Sequence, residues 1–264
     1  MMYRNQLFFI PILLACFHKA SSQSAELPHE EAKLVCLYAM LVNNIEVNLD
    51  STHYYSGKFG KELKKYITKT PTSLEYPFQR LKDSNYCDIA TSTDGKLRIY
   101  SWDTWTGGSM HFFNQIIQYK DSGQIFTKIP RYGEGDPGTF CSAIYTVAIK
   151  GKTYYLAIQN RVYSNKDASQ SVSVLTINNR QLLDTVRLFK TKKKMLNKID
   201  VEFDFLSVVD RPERPLALIT YDDRQKIVRI PIVNDKGQVT RRNMRYQLKD
   251  GYFTFADIEP DTIK

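Results

Sequence analysis

Apolar residues change their spacing twice along this 264-residue chain, and each change predicts a different kind of element. The first stretch, Leu7 to Phe17, is nearly unbroken. From Glu30 the spacing becomes three and four, with Leu34, Leu37, Tyr38, Leu41 and Ile45 on one stripe. That predicts a buried amphipathic helix, opened by Glu30 and Glu31 at the positive end of its dipole. Cys36 falls inside the run and is expected in the core. A second helix is expected where Phe59, Leu63, Tyr66 and Ile67 share a face opposite Lys58, Lys61, Lys64 and Lys65, stopping before Pro71. From about Cys87 apolar and polar residues alternate, as in Lys96 to Trp102, Val201 to Phe205 and Lys226 to Ile232, which predicts antiparallel strands.

Within the strand region a turn-then-strand element recurs three times, at Asp121 to Ile125, Asn178 to Leu182 and Asn234 to Val239. Its glutamines, Gln124, Gln181 and Gln238, stand 57 residues apart. Apolar strands centred on Leu97, Leu156 and Leu216 precede them, and strands carrying Ile116, Val174 and Val228 lie between. The fold class expected is therefore mostly β with an N-terminal helical pair, the β part being three tandem four-stranded antiparallel meanders at about 88–129, 141–188 and 201–247. Three units are too few to close a propeller, which typically needs four to eight blades, so a partial propeller or a sandwich is expected. The domain boundaries that follow are 1–24 as a leader, 25–83 as a helical segment packing on the β domain, and 84–264 as the meander domain.

The leader has one early cation, Arg4, then the eleven-residue apolar run, then small polar residues from Ala20 to Ala25. That order is a secretory signal, and the run is well short of the roughly 20 residues a spanning helix needs. Leu13-Leu14-Ala15-Cys16 resembles the lipobox of bacterial lipoproteins, which makes Cys16 a candidate lipidation site and the only expected tie to a membrane. The expected location is exported: periplasmic, outer-membrane-anchored or extracellular. Losing the leader removes Arg4 and Lys19 from a net charge of +9 and leaves a basic chain suited to anionic surfaces. Outside the cytoplasm such a partner is a lipid head group, an acidic glycan or a protein, and no nucleic acid is expected. Lys192, Lys193 and Lys194 form the densest basic patch. Cys87 and Cys141, each at the start of a strand, are either a disulfide or two buried thiols. No cysteine spacing fits a zinc site, so neither metal nor cofactor is expected.

Strand alternation sorts the connections between strands to two edges, and the long ones, Ser101 to His111, Pro130 to Thr139, Asn160 to Gln170 and Lys190 to Lys198, are expected at the same edge. Function concentrates on long loops held by a rigid scaffold. The first of them carries Trp102, Asp103, Trp105 and His111, and the second carries Tyr132, Glu134 and Asp136 in a glycine-rich run. Rigid aromatic rings beside a few polar groups suit recognition of a glycan or peptide. Cys141 or Ser109 with His111 and Asp103 is the nearest arrangement to a nucleophile set, yet neither sits in a nucleophile turn. The function expected is a non-catalytic binding or interaction protein of the bacterial cell envelope, with a glycan, peptide or envelope protein as ligand. The alternative is an envelope-polymer hydrolase with an acid and base pair drawn from Asp103, Glu134 and Asp136.

Overall fold

A computed structural model of the chain describes residues 13–210 and 217–259, with side chains from residue 26 onward. Of the expected leader, residues 1–12 lie outside the described residues, as does the side chain of Cys16. The strand expected around Leu216 lies largely outside them too.

Helix α1 (Leu13–Val42) turns through residues 43–48 into α2 (Leu49–Lys69). Asn48 caps α2, its side chain accepting from the Ser51 amide at 3.1 Å. Pro71 follows the helix and opens a single 3-10 turn (Pro71–Leu74), after which the short helix α3 (Gln79–Asp83) leads into the sheets. The first helix differs from expectation at its start, because it runs through Pro28 and does not begin at Glu30. Glu31 is buried, and its carboxylate accepts from the amides of Arg80 at 2.8 Å and Leu81 at 3.2 Å and from the Tyr76 hydroxyl at 2.7 Å. It therefore satisfies the free amides opening α3 rather than those of its own helix. Cys36 is exposed on the outer side of α1, contrary to its expected place in the core.

The β region is built of several sheets, almost wholly antiparallel. In sheet one β1 (Asp88–Thr91), β2 (Leu97–Asp103), β3 (Phe113–Asp121) and β4 (Gln124–Lys128) lie side by side in chain order. In sheet two β5 (Phe140–Ile149), β6 (Lys152–Val162) and β7 (Asp167–Asn178) do the same, and β8 (Gln181–Leu183) pairs with the last three residues of β7. A two-residue pair follows, β9 (Phe189–Lys190) and β10 (Met195–Leu196), then β11 (Lys198–Asp204). Sheet three takes β12 (Thr220–Asp222), β13 (Ile227–Val233), β14 (Val239–Lys249) and β15 (Tyr252–Glu259), with β9 added parallel to β15. Among the described residues no barrel or propeller closes.

The third segment departs from the expected unit. Its first strand, β11, pairs with β7 of sheet two from Lys198↔Ser173 to Asp204↔Asp167, not with its own neighbour β12. The cause lies in strand length: β8 covers only residues 176–178 of β7, so the edge of residues 167–173 would otherwise leave backbone donors and acceptors unpaired. The meander of sheet three then runs from β12 to β15, ending beyond the expected residue 247.

Tight hairpins at one edge share one turn chemistry. Ser122-Gly123, Lys150-Gly151, Asn179-Arg180 and Asp250-Gly251 all have positive φ at both residues, the geometry of two-residue turns whose twist matches the strands.

Packing is in layers. The helices cover one face of sheet one through Phe59, Leu63, Ile67, Tyr100, Trp102 and Ile116. Leu97, Ile99 and Tyr119 on its other face meet Ile144, Tyr155 and Leu175 of sheet two. Leu156 and Val174 of sheet two meet Val228, Ile230 and Phe253 of sheet three. Both faces of β2 are thus buried. No helix among the described residues is long and apolar enough to cross a membrane.

Candidate functional site

Period-two alternation in β2 decides where the aromatic segment goes. Tyr100 and Trp102 point to the helices, and Leu97 and Ile99 point to sheet two. Trp102 is therefore 3% exposed, its ring edge-on to Phe59 at 5.3 Å and its Nε1 donating to Ser56 Oγ at 3.3 Å. The two tryptophans were expected on one face; the alternation separates them.

Asp103, Trp105 and His111 do come together. Asp103 Oδ1 accepts from the Trp105 amide at 2.8 Å, and Oδ2 lies 2.5 Å from His111 Nδ1. The contact holds the imidazole ring in place against the carboxylate. Trp105 takes a left-handed backbone conformation, φ +54°, that sets its ring edge-on to His111 at 5.6 Å with 37% of the residue exposed. Beneath them the Tyr38 hydroxyl donates to the Asp103 carbonyl at 2.8 Å; burial first, and then the charge of Asp103, hold that phenol far above its ordinary pKa.

Backbone contacts tie this segment to the next loops. The His111 amide donates to the Val162 carbonyl at 3.2 Å, and the Phe113 amide to the Pro137 carbonyl at 2.7 Å. Gly138 permits the second approach: it has φ +69°, and a Cβ there would lie 2.2 Å from the Phe113 carbonyl oxygen. Three of the four long connections therefore share an edge, the third being shorter than expected, residues 163–166. The fourth does not join them through any such contact. Lys192, Lys193 and Lys194 occupy the turn between β9 and β10, folded onto Thr191, whose hydroxyl donates to the Lys194 carbonyl at 2.9 Å and accepts from the Lys194 amide at 3.0 Å. Their hairpin pairs with β15 at the border of sheet three.

The carboxylates are engaged separately. Asp136 Oδ1 accepts from the Gly138 amide at 2.9 Å and stands 3.9 Å from Arg161 Nε, while Glu134 is exposed without a hydrogen bond or ion pair among the described residues. No hydrogen bond or ion pair joins Asp103, Glu134 and Asp136 in any combination. Nor is a nucleophile set assembled: Cys141 is buried between sheets one and two, and Ser109 is exposed with no bond to His111.

Cys87 and Cys141, expected either as a disulfide or as two buried thiols, are buried and unbonded to each other in the structure. The reason is topological: Cys87 packs in the layer between the helices and sheet one, and Cys141 in the layer on the opposite face of that sheet. Burial pushes both thiols well above their ordinary pKa.

Beside Trp102 lies a cleft of about 350 Å³, floored by Trp102 and Ile116 and walled by α2 on one side and by Ile129, Pro130 and Tyr132 on the other. It exists because β4 stops at Lys128, opposite Ile117, and leaves Asn114 to Ile116 of β3 without a strand neighbour on the side away from β2. Tyr132 crosses this gap and donates to Gln115 Oε1 at 3.3 Å; burial raises its phenol pKa. Lys61 and Lys64 line the α2 wall, exposed and without a carboxylate partner among the described residues, and Ile129 is 50% exposed. Sequence reasoning placed Tyr132 and Trp102 in a site but missed this wall. The two lysines read as a solvated helix face, and the available signal was Ile129-Pro130, an apolar pair directly after a strand end.

Among the described residues no group of three or more His, Cys, Asp and Glu side chains is arranged to hold a metal ion. Compared with known proteins, the chain matches no family model and no curated sequence.

Proposed function

We propose that this chain is an exported, non-catalytic binding protein of the bacterial cell envelope, and that its ligand is a peptide segment of another protein with an apolar side chain flanked by acidic ones. The cleft between α2 and sheet one carries this reading. A half-exposed Ile129 and two lysines with no carboxylate partner among the described residues suit an apolar anchor and a nearby negative charge. A glycan is the weaker candidate, because the Trp102 ring is covered by Gly60 of α2 and offers no open face for a sugar to stack on.

Export rests on the leader, residues 1–24, with Cys16 as the lipid-bearing first residue if the lipobox is used and a free start near Ala25 if it is not. The helical segment 25–83 then supplies one wall of the site and the β region the other. We read the three meanders as copies of one unit, the third having given its first strand to sheet two. The rival hydrolase has less support, because Asp103 is held by His111 and Trp105, and Asp136 by Gly138 and Arg161.

Selection from a displayed library of random peptides tests the proposal. Enriched sequences should pair an apolar residue with Asp or Glu, and their binding should fall at least tenfold with Ile129→Glu or with Lys61→Glu and Lys64→Glu together. Enrichment without acidic residues, or binding that both variants leave unchanged, would reject it.

A further inference from the structure

A second, wider cavity lies at the hairpin edge between sheets one and two, with a volume of about 520 Å³. Three lysines line it: Lys96 at the entry to β2, Lys120 near the end of β3 and Lys152 at the start of β6. All three are exposed, and none has a side-chain hydrogen bond or an ion pair among the described residues.

Two of them are cross-strand neighbours. Leu97 pairs with Tyr119, and the Lys120 amide donates to the Lys96 carbonyl at 2.9 Å, so Lys96 stands opposite Lys120. Like charges placed directly opposite each other destabilise a sheet. Asp121 also lines the cavity and Asp94 stands near its rim, but neither forms an ion pair with a lysine among the described residues, and both are held by neutral donors. Asp121 accepts from the Arg180 amide at 2.7 Å and the Ser122 hydroxyl at 3.3 Å. Asp94 accepts from the Ser92 hydroxyl at 2.7 Å, the Lys96 amide at 3.1 Å and the Tyr155 hydroxyl at 3.0 Å. Three lysines against the single lining carboxylate, Asp121, leave this concave surface net positive, and such a surface focuses its field on whatever enters.

We propose that this cavity binds a small molecule or terminal group carrying at least two phosphate or sulfate esters, held by Lys96, Lys120 and Lys152. Three ammonium groups give two such esters their cationic partners, and Thr153 and Asn178 on the wall suit a hydroxylated body. The site is independent of the cleft beside α2.

Calorimetry on the full chain tests it, with inositol hexakisphosphate as the phosphate probe and sucrose octasulfate as the sulfate probe. At least one should bind with one-to-one stoichiometry and weaken between 50 and 300 mM NaCl, and the probe preferred tells which ester is recognised. Lys96→Gln, Lys120→Gln and Lys152→Gln together should weaken binding at least tenfold, with each single change giving a smaller loss. A control with the same charge change, Lys58→Gln, Lys65→Gln and Lys69→Gln on α2, should bind as the parent does. Binding of neither probe, or equal loss in both triple variants, overturns the proposal; the second result would mean attraction to overall charge alone.

Discussion

Two glycines on α2 separate intrinsic helix stability from the contact with sheet one. Replacing glycine by alanine inside a helix gains about 1 kcal/mol wherever the new methyl has room. Gly57 has nothing within 4 Å of the position a Cβ would take, so Gly57→Ala should gain that amount. At Gly60 the same methyl would lie 2.7 Å from Trp102 Cζ2 and 3.0 Å from Cη2. Carbon contacts are comfortable at about 3.5–4.0 Å, so the ring or the helix must move. The ring is confined by its bond to Ser56 and its packing on Phe59. Overpacking of this kind costs about 1–3 kcal/mol, so Gly60→Ala should end about 1–3 kcal/mol less stable than Gly57→Ala. At about 2–4 °C per kcal/mol for a chain of this size, the melting temperatures should differ by at least about 2 °C. Urea denaturation and thermal melting by circular dichroism read the difference. In a Trp102→Phe background, which removes the atoms in conflict, the penalty at Gly60 should shrink by more than about 0.5 kcal/mol, a coupling expected only for residues in contact. Equal stability of the two alanine variants, or no coupling to Trp102, would refute the packing of α2 on sheet one.

Other outcomes follow from particular contacts. Glu31→Ala strips the acceptor from two backbone amides and the Tyr76 hydroxyl, and should cost about 2 kcal/mol or more in urea denaturation, given about 1–3 kcal/mol for each buried donor left unsatisfied; a loss under about 0.5 kcal/mol would contradict the capping of α3 by α1. In a chain beginning at residue 25, a thiol reagent at pH 8 should modify Cys36 rapidly and leave Cys87 and Cys141 untouched, since burial raises both thiols far above that pH. Unfolding without reductant should then release two more reactive thiols, for a total of three, and a total of one would reveal a disulfide. Arg180 holds φ +63° in a turn position that other hairpins of the same edge fill with glycine, so Arg180→Gly should raise stability by about 0.5–1 kcal/mol in urea denaturation, and any loss would mean that its side chain is needed there.

Local patterns carried much of this fold, and the misses share a cause. Helix α2, its stop before Pro71 and the strands of sheets one and two were legible because spacing and turn residues act within a few positions of each other. Strand β11 was not, since its partner is chosen by how much of the β7 edge β8 leaves open, a quantity set some 25 residues away. Glu31 misled for a similar reason: an acidic residue near a helix start reads as a dipole partner, whereas the free amides it meets belong to α3. Cys36 shows the limit of a stripe, because a position two residues from both Leu34 and Tyr38 lies on the opposite side of the helix and faces outward. In the candidate site, alternation along β2 was the signal that would have parted Trp102 from Asp103, and it was present in the sequence. The joining of Asp103 to His111 and the cleft left where β4 stops depend on loop paths that no periodicity records.

Hydrogen exchange of the chain beginning at residue 25, with and without a peptide taken from the display selection, tests the central claim most directly. Protection should appear at residues 56–64 of α2 and at 129–132, the two walls of the cleft, with little change elsewhere. Protection confined to residues 104–112, or to the hairpins at the opposite edge, would place the binding site on another surface and contradict the account.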